Sequence, residues 1–194
     1  EMTSSLVGSE MCIRDRISAF AMALLREYKE IAYQWGIWKT EESPEELLAL
    51  LPDPERYEQQ LTRFSSPHRK LEWLSVRVLL YQLLGEEKTI EYAPSGKPHL
   101  ADSSYFISIS HTRGYVAVIL SPVSEVGIDI EQYGQRVHKV AHKYMRPDEL
   151  ISEYQGEDTW SLLLHWSAKE VMFKCMDTSE AVSYTHLTLP TIRL

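Results

Sequence analysis

The sequence predicts an α+β fold, in which strands and helices occupy separate stretches of the chain. Two observations lead to this prediction. Runs of β-branched and aromatic residues separated by short turns fill residues 105–131. Helical patterns cover most of residues 43–84, with start signals at Ser43 and Ser66, and residues 158–176. Short turns between successive strands favour antiparallel pairing, and strands grouped beside separate helices are typical of the α+β class.

The N-terminal half predicts one hairpin and two helices. Residues 28–39 mix aromatic and β-branched side chains, which favours a strand or a hairpin. Ser43–Glu46 supplies an N-cap serine, a proline at the first helical position and a glutamate that reaches back, so a short helix begins there. We expect Pro52 and Pro54 to end this helix. A second start at Ser66 opens a long helix that Gly85 caps.

The C-terminal half predicts three strands followed by helices. Strand-like patterns cover residues 105–110, 115–120 and 125–131, with turns between them. Helical patterns then return at residues 136–145 and resume at 158–176.

Bulk composition excludes several classes of protein. The 194 residues are 44% hydrophobic and 25% charged, which is typical of a globular chain. No apolar run approaches the roughly 20 residues that a membrane helix needs, so we expect no membrane segment. A net charge of −8 argues against general nucleic-acid binding. Two cysteines, Cys12 and Cys175, are too few for a disulfide framework, so we expect a cytoplasmic protein.

The two ends differ from the rest, because both resemble translated sequencing-adapter strings. We expect residues 1–21 to be a non-native or disordered leader and residues 181–194 to be a non-native tail. Between them we expect an N-terminal lobe over residues 22–100 and a C-terminal lobe with a metal site over residues 101–180. We also expect the native sequence to be truncated soon after Met176, which would leave a sheet incomplete and the chain poorly stable.

Two carboxylates lie close together in the string VGIDIE. In a strand Asp129 and Glu131 point to the same face, about 6–7 Å apart along the chain. Two carboxylates on one face repel each other unless a cation lies between them, and a hard cation such as Mg²⁺ prefers oxygen ligands. The alternative is a solvated strand end.

A third carboxylate occurs in the helical string HWSAKEVMFK. Trp166, Glu170 and Lys174 follow one another at four-residue intervals, so they stay near one face of the helix. Glu170 suits a third metal ligand or a base, and Lys174 suits a contact with phosphate. The alternative is an ordinary surface pair of glutamate and lysine.

Candidate phosphate partners occur at two further places. The turn Ser95–Pro98 projects Lys97, and the pair Ser110-His111 closes a strand. Ammonium, hydroxyl and imidazole groups all bind phosphate oxygens. The alternative is a turn followed by a polar strand end.

Taken in order, these motifs resemble the 4′-phosphopantetheinyl transferase superfamily over residues 69–174. The family pattern is an arginine-bearing helix, G-K-P, S-H, G-I-D-x-E and W-x-x-K-E-x-x-x-K. The matching positions are Arg77, Gly96–Pro98, Ser110-His111, Gly127–Glu131 and Trp166–Lys174. One departure is Ser108, which replaces an asparagine and is expected to weaken a turn hydrogen bond.

The resemblance implies roles for these residues. Asp129, Glu131 and Glu170 would surround Mg²⁺ on the pyrophosphate of coenzyme A. Glu170, as general base, and Lys174, as a phosphate contact, would be catalytic. The remaining contacts to coenzyme A would come from Arg77, Lys97, Pro98, Ser110 and His111, with His111 near the 3′-phosphate.

The resemblance also implies an architecture and a reaction. We expect a pseudo-twofold pair of α+β lobes with mainly antiparallel sheets, of the larger, Sfp-like type that is active as a monomer. The arm of coenzyme A would pass to a serine of an apo acyl or peptidyl carrier protein, releasing 3′,5′-ADP. A basic cluster suits docking of an acidic carrier, although a solvated helix is the alternative; its members are Arg136, Lys139, Lys143 and Arg146.

Two other functions remain open from the sequence. A Mg²⁺-dependent phosphohydrolase would use the same three carboxylates. A non-catalytic paralogue would bind coenzyme A or a carrier protein without transferring the arm.

Overall fold

The computed structural model describes residues 23–176 and confirms the α+β class with antiparallel sheets. Within these residues the strands are β1 (Leu24–Lys29), β2 (Gln34–Lys39), β3 (Ile90–Tyr92), β4 (Pro98–Leu100), β5 (Phe106–Thr112) and β6 (Tyr115–Ser121). The helices are α1 (Pro44–Ala49), α2 (Pro54–Leu61), α3 (Pro67–Leu84), α4 (Arg136–Val140) and α5 (Thr159–Cys175). A 3₁₀ turn, Ala141–Lys143, follows α4. The expected leader and tail lie outside the described residues.

One sheet joins strands from both halves of the chain. Its order is β1-β2-β6-β5, and every neighbouring pair is antiparallel. The strand or hairpin expected over residues 28–39 is a hairpin that begins earlier, because β1 covers Leu24–Lys29 and pairs with β2. The strands expected over residues 105–110 and 115–120 are confirmed as the hairpin of β5 and β6. Strands from both sides of the expected lobe boundary at residue 100 therefore share this sheet. Strands β3 and β4 form a separate two-stranded hairpin.

The long helix α3 covers one face of the sheet and forms the main core with it. Ser66 accepts a hydrogen bond from the amide of Arg69 at the helix start, and Gly85 ends the helix with φ of 70°, as predicted. Leu74, Val78 and Leu79 of α3 are fully buried in this core. Each such side chain contributes roughly 1.5–3 kcal/mol through removal from water.

The short helices confirm one start signal and correct another. Ser43 and Glu46 form the predicted reciprocal capping box, with side-chain to backbone distances of 3.2 and 2.8 Å. Pro54 does not merely follow this helix, because it begins α2. Asp53 caps that second helix by accepting from the amide of Arg56, so the same cap-and-proline signal was present there.

The predicted third strand over residues 125–131 does not form. This stretch has no strand ladder, and it instead lies across the sheet face opposite α3. The amide of Ile128 donates to Ser108 Oγ at 3.2 Å, and the amide of Ile130 donates to Ser110 Oγ at 3.3 Å. The amides of this stretch thus donate to serine hydroxyls of β5 and not to the backbone carbonyls of a neighbouring strand. The stretch therefore joins no sheet. We call residues 125–131 the acidic segment.

The C-terminal helices form a second, smaller core. Val137, Tyr144 and Leu162 are buried together, and Trp166 packs against them. These elements follow the predicted helical stretches, except that α4 changes to a 3₁₀ turn after Val140. Among residues 23–176, no helix is both long enough and apolar enough to cross a bilayer.

Candidate functional site

The acidic segment meets helix α5 through two side-chain contacts. At one end Trp166 Nε1 donates to Glu131 Oε1 at 2.8 Å. At the other end Lys174 Nζ lies 3.1 Å from Asp129 Oδ1 and 2.8 Å from the carbonyl oxygen of Ile128. Trp166 and Lys174 are eight residues apart on the helix, and Glu170 lies midway between them. The segment therefore lies along the side of α5 that carries Glu170.

Gly127 allows the segment to approach the helix this closely. A Cβ atom at this position would lie 2.7 Å from the carbonyl oxygen of Val171 and 2.9 Å from Cys175 Sγ. Both distances are shorter than van der Waals contact, and the carbonyl oxygen cannot move without the helix. The glycine of the G-I-D-x-E pattern is thus required by the packing of the two elements.

Asp129 is the most constrained of the three carboxylates. Its side chain is only 5% exposed, and its Oδ1 accepts from Ser110 Oγ at 2.9 Å as well as from Lys174. Its Oδ2 is buried and has no hydrogen-bond partner among the residues that the structure describes. A buried carboxylate oxygen without a partner is costly, so this atom is suited to bind a cation.

The three carboxylates do not form a ready-made cage. Among residues 23–176, no three His, Cys, Asp or Glu side chains are grouped so that they could hold a metal ion. Mg²⁺, however, commonly takes one or two protein carboxylates and completes its shell with water and substrate phosphate. Asp129 fits such an ion as its anchor. The full ligand set of Asp129, Glu131 and Glu170 stays a prediction.

A second group of predicted residues lies on the opposite side of β5. Successive side chains of a strand point to opposite faces, so Ser110 faces the acidic segment while His111 faces α3. There His111 borders a cavity of about 710 Å³ that Arg77 and Pro98 also line. The structure thus brings together three of the expected contacts to coenzyme A. We call this space the arginine cavity.

Arg77 gives this cavity a buried positive charge. Arg77 is only 7% exposed. Its guanidinium carbon lies 3.4 Å from the ring centroid of Trp73, and its NH1 donates a hydrogen bond to the Trp73 carbonyl oxygen. Burial lowers the pKa of Arg77 to about 10, so the group remains charged at neutral pH. Within the described residues it has no carboxylate partner within 4.0 Å. A buried cation of this kind favours an anionic ligand.

Other charged side chains of the cavity wall are mixed in sign. Arg63 and Arg69 line it together with Arg77, whereas Glu72 and Glu91 contribute negative charge. Cationic side chains therefore outnumber carboxylates on this wall.

Lys97 does not share the cavity with His111, although both are expected contacts to coenzyme A. Its Nζ pairs with Glu125 Oε2 at 3.0 Å, and it borders a neighbouring cavity of about 360 Å³. Only the next residue, Pro98, lines both spaces. Side chains of adjacent residues diverge as the turn enters β4, which separates Lys97 from Arg77.

Ser110 also differs from its expected role. Its hydroxyl donates to Asp129 and accepts from the amide of Ile130, so it positions the acidic segment and does not face the arginine cavity. Ser108 makes a comparable bond from the amide of Ile128. The serine in place of the family's asparagine therefore keeps a hydrogen bond to the segment.

Lys169 is a residue whose role the sequence analysis missed. It is fully buried, and its Nζ donates to Glu149 Oε2 at 2.7 Å and to the carbonyl oxygen of Tyr144. The pair fastens the 144–149 loop to α5. A signal was present, because Leu162, His165 and Lys169 recur at helical spacing on one buried stripe. A lysine on such a stripe requires an acidic partner.

The expected docking cluster is only partly available. Arg136, Lys139 and Lys143 are exposed, and none of them is within 4.0 Å of a carboxylate in the described part of the chain. Arg146 instead pairs with Asp148 through two hydrogen bonds. Docking through these residues stays a prediction, with Arg146 the weakest member.

Comparison with known proteins places the site in a family context. Residues 125–191 match the family model described as the 4′-phosphopantetheinyl transferase superfamily. The matched range contains Asp129, Glu131, Glu170 and Lys174, whereas the residues of the arginine cavity precede it.

Curated relatives agree with that match. A protein of Synechocystis named "Putative 4'-phosphopantetheinyl transferase slr0495" is 28% identical over 127 residues, which cover 58% of this chain and 52% of that protein. The 4′-phosphopantetheinyl transferase AcpT of Escherichia coli O157:H7 is 30% identical over 115 residues, covering 55% of this chain and 57% of AcpT. The AcpT of Salmonella typhi is 38% identical over 64 residues, 32% of this chain and 33% of that protein. The chain spans about half the length, or less, of these relatives.

Proposed function

From the match of residues 125–191 and the similarity to curated 4′-phosphopantetheinyl transferases, we propose that this chain is a member of that superfamily. It would transfer the 4′-phosphopantetheine arm of coenzyme A to a serine of an apo acyl or peptidyl carrier protein. One observation carries most of this proposal: charged side chains lie on both faces of strand β5, and we interpret the two groups as two subsites for coenzyme A. On one face lie Lys174 and Asp129, whose Oδ2 has no hydrogen-bond partner within residues 23–176. On the other face lies the arginine cavity.

Coenzyme A has two separate anionic groups, a pyrophosphate and a 3′-phosphate. We assign the pyrophosphate to the side of Asp129 and Lys174, and the 3′-phosphate with its nucleoside to the side of Arg77 and His111. A ligand with a single phosphate group would need only one of these subsites. The second subsite therefore favours coenzyme A over a simple phosphate ester.

Asp129 is the proposed anchor of Mg²⁺ in the first subsite. Glu131 and Glu170, which are not grouped with it around one ion in the described part of the chain, are the proposed further ligands. When bound, the ion supplies charge neutralisation at the pyrophosphate. Lys174 adds a second positive charge close by, because Asp129 and the carbonyl oxygen of Ile128 hold its amine at the segment. Positioning and charge neutralisation are the main requirements of phosphoryl transfer.

Glu170 is the proposed general base. It accepts the proton of the carrier serine as the serine oxygen bonds to the β-phosphorus of coenzyme A. The bond from that phosphorus to the bridging oxygen breaks, and 3′,5′-ADP leaves with the bond's electron pair. Glu170→Gln is expected to abolish transfer while leaving coenzyme A binding largely intact, and substantial transfer by this variant would overturn the assignment.

The exposed cations Arg136, Lys139 and Lys143 are proposed to attract the carrier protein. Since the enzyme itself carries a net charge of −8, an acidic carrier needs a local basic surface. Reversal to glutamate at Lys139 and Lys143 is expected to raise KM for the carrier but not for coenzyme A. Reversal at Arg26 and Lys29 on β1 makes the same charge change on another surface and serves as the control.

The release of 3′,5′-ADP tests the function against its rivals. We expect release from coenzyme A only when Mg²⁺ and an apo-carrier with its serine are both present, and none with a carrier whose serine is replaced by alanine. Release without any carrier would favour a phosphohydrolase. Binding of coenzyme A without release under any condition would favour a non-catalytic paralogue.

A further inference from the structure

One carboxylate oxygen of α3 lies within hydrogen-bonding distance of two imidazoles. Glu72 Oε1 is 3.0 Å from His68 Nε2 and 3.2 Å from His111 Nδ1. The Glu72 side chain is only 14% exposed, whereas both rings are more accessible. Glu72 thus lies beneath the two rings.

The two histidines face different spaces. His111 borders the arginine cavity, together with Arg77. His68 borders a smaller cavity of about 230 Å³ beside Thr40 and the β5–β6 turn. Glu72 forms part of the wall of both. Of the two rings bound to this oxygen, only the ring of His111 is placed to meet a ligand beside Arg77.

We propose that Glu72 is a positioning residue that orients His111 toward the 3′-phosphate of coenzyme A. The inference rests on the proposed function. When Nδ1 of His111 donates to Glu72, the other ring nitrogen, Nε2, is the one left to bind a ligand. The ring thus lies between the Glu72 carboxylate on one side and the proposed phosphate on the other, and each ring nitrogen has one of them as its partner.

Glu72 acts through His111 and not by touching the ligand. A bare carboxylate on the cavity wall would repel a phosphate, but here two rings cover it. Its contribution should therefore appear only with a ligand that His111 binds. A residue that merely supports the fold would affect every ligand of the cavity equally.

The test compares coenzyme A with 3′-dephospho-coenzyme A, which differs only in lacking the 3′-phosphate. Dissociation constants are measured by calorimetry for the full 194-residue chain. We expect the wild type to prefer coenzyme A, and Glu72→Gln to weaken coenzyme A binding about tenfold, the size of one hydrogen bond to a charged group. Binding of the dephospho form should change less than about twofold.

Two further variants make the test specific. His68→Gln removes the other ring from the same oxygen and should leave the preference for coenzyme A unchanged. In a His111→Gln background, Glu72→Gln should have no further effect. If Glu72→Gln does not fold by circular dichroism, Glu72→Asp keeps the charge on a shorter side chain and should lose part of the preference.

Several results would overturn the inference. Equal loss of both ligands in the Glu72 variant would show a structural role, and an equal effect of His68→Gln would remove the link to His111. A wild type without any preference would overturn the assignment of the 3′-phosphate and this inference with it. By contrast, a Glu72-dependent preference in a chain that never modifies a carrier would overturn the transferase function alone.

Discussion

Replacement of Gly127 by alanine probes the contact between the acidic segment and helix α5. The new Cβ atom would lie 2.7 Å from the carbonyl oxygen of Val171, whereas ordinary contact begins at 3.4 Å. The helix or the segment must therefore move apart by about 0.7 Å, since a backbone oxygen cannot rotate away as a side chain can. Two further atoms, Val171 Cγ1 and Cys175 Sγ, are 2.9 Å from the same position.

The expected cost follows from this overlap. Overpacking of a well-packed contact typically costs about 1–3 kcal/mol, so Gly127→Ala should lower the free energy of unfolding by that amount. Separation of the elements also shifts Asp129 relative to Glu170 and Lys174. A displacement of about 1 Å at a reacting centre can cost on the order of 10²-fold in rate, so transfer should fall by about one to two orders of magnitude.

Gly134→Ala is the matched control, because a Cβ atom there meets nothing within 4 Å. Urea unfolding of both variants gives the difference in free energy of unfolding, and release of 3′,5′-ADP gives the rate. The control should stay within about 0.5 kcal/mol of the wild type. If both variants unfold alike and transfer at the same rate, the close approach of segment and helix is not what Gly127 provides.

Further predictions concern the contacts of α5. Lys169→Met leaves the Glu149 carboxylate buried without its cation, so the free energy of unfolding in urea should fall by about 3–5 kcal/mol. Additional replacement of Glu149 by Leu should recover part of that loss, and no recovery would contradict the pairing. Trp166→Phe removes the donor to Glu131, so kcat should fall about tenfold. Stability should fall by about 1 kcal/mol, because Trp166 also packs against the second core; an unchanged kcat would speak against a role for this bond. Burial raises the pKa of Tyr144 to about 12. The protonated hydroxyl therefore contributes its full share to the free energy of unfolding below the ordinary tyrosine pKa near 10, and this contribution is lost as pH rises toward 12. The loss approaches about 2 kcal/mol, and Tyr144→Phe should flatten this slope in unfolding measured from pH 9 to 12, whereas a slope unchanged in the variant would refute it.

Local signals in the sequence predicted helix starts well. The starts at Ser43 and Ser66 are confirmed, because a cap serine and a following proline act within one turn of chain. At Asp53 and Pro54 the same signal begins α2, whereas the prolines of this stretch predicted only the end of the preceding helix. Two adjacent short helices, α1 and α2, are hard to tell from one helix and a loop when a proline stands between them.

The acidic segment shows what alternation can and cannot predict. Alternation fixes the direction in which side chains point, and Asp129 and Glu131 do both meet α5, through Lys174 and Trp166. It does not fix the partner of the backbone, which here is a pair of serine hydroxyls. The predicted strand was wrong for this reason.

The arginine cavity shows the same limit at the level of the site. Arg77, Pro98 and His111 are far apart in sequence and meet as the motif order implied, whereas Lys97 and Ser110 face other spaces. The motif predicts which residues contribute to the site. The packing of β4 and β5 determines the direction in which each of their side chains points. Sequence spacing alone does not contain that choice.

The central claim is tested most directly by the intact mass of an apo-carrier protein after incubation with coenzyme A, Mg²⁺ and this chain. We predict a gain of one phosphopantetheine on the carrier serine, and no gain when Asp129 is replaced by Asn. An unmodified carrier in the presence of folded, coenzyme-A-binding protein, or full modification by the Asp129 variant, would contradict the account.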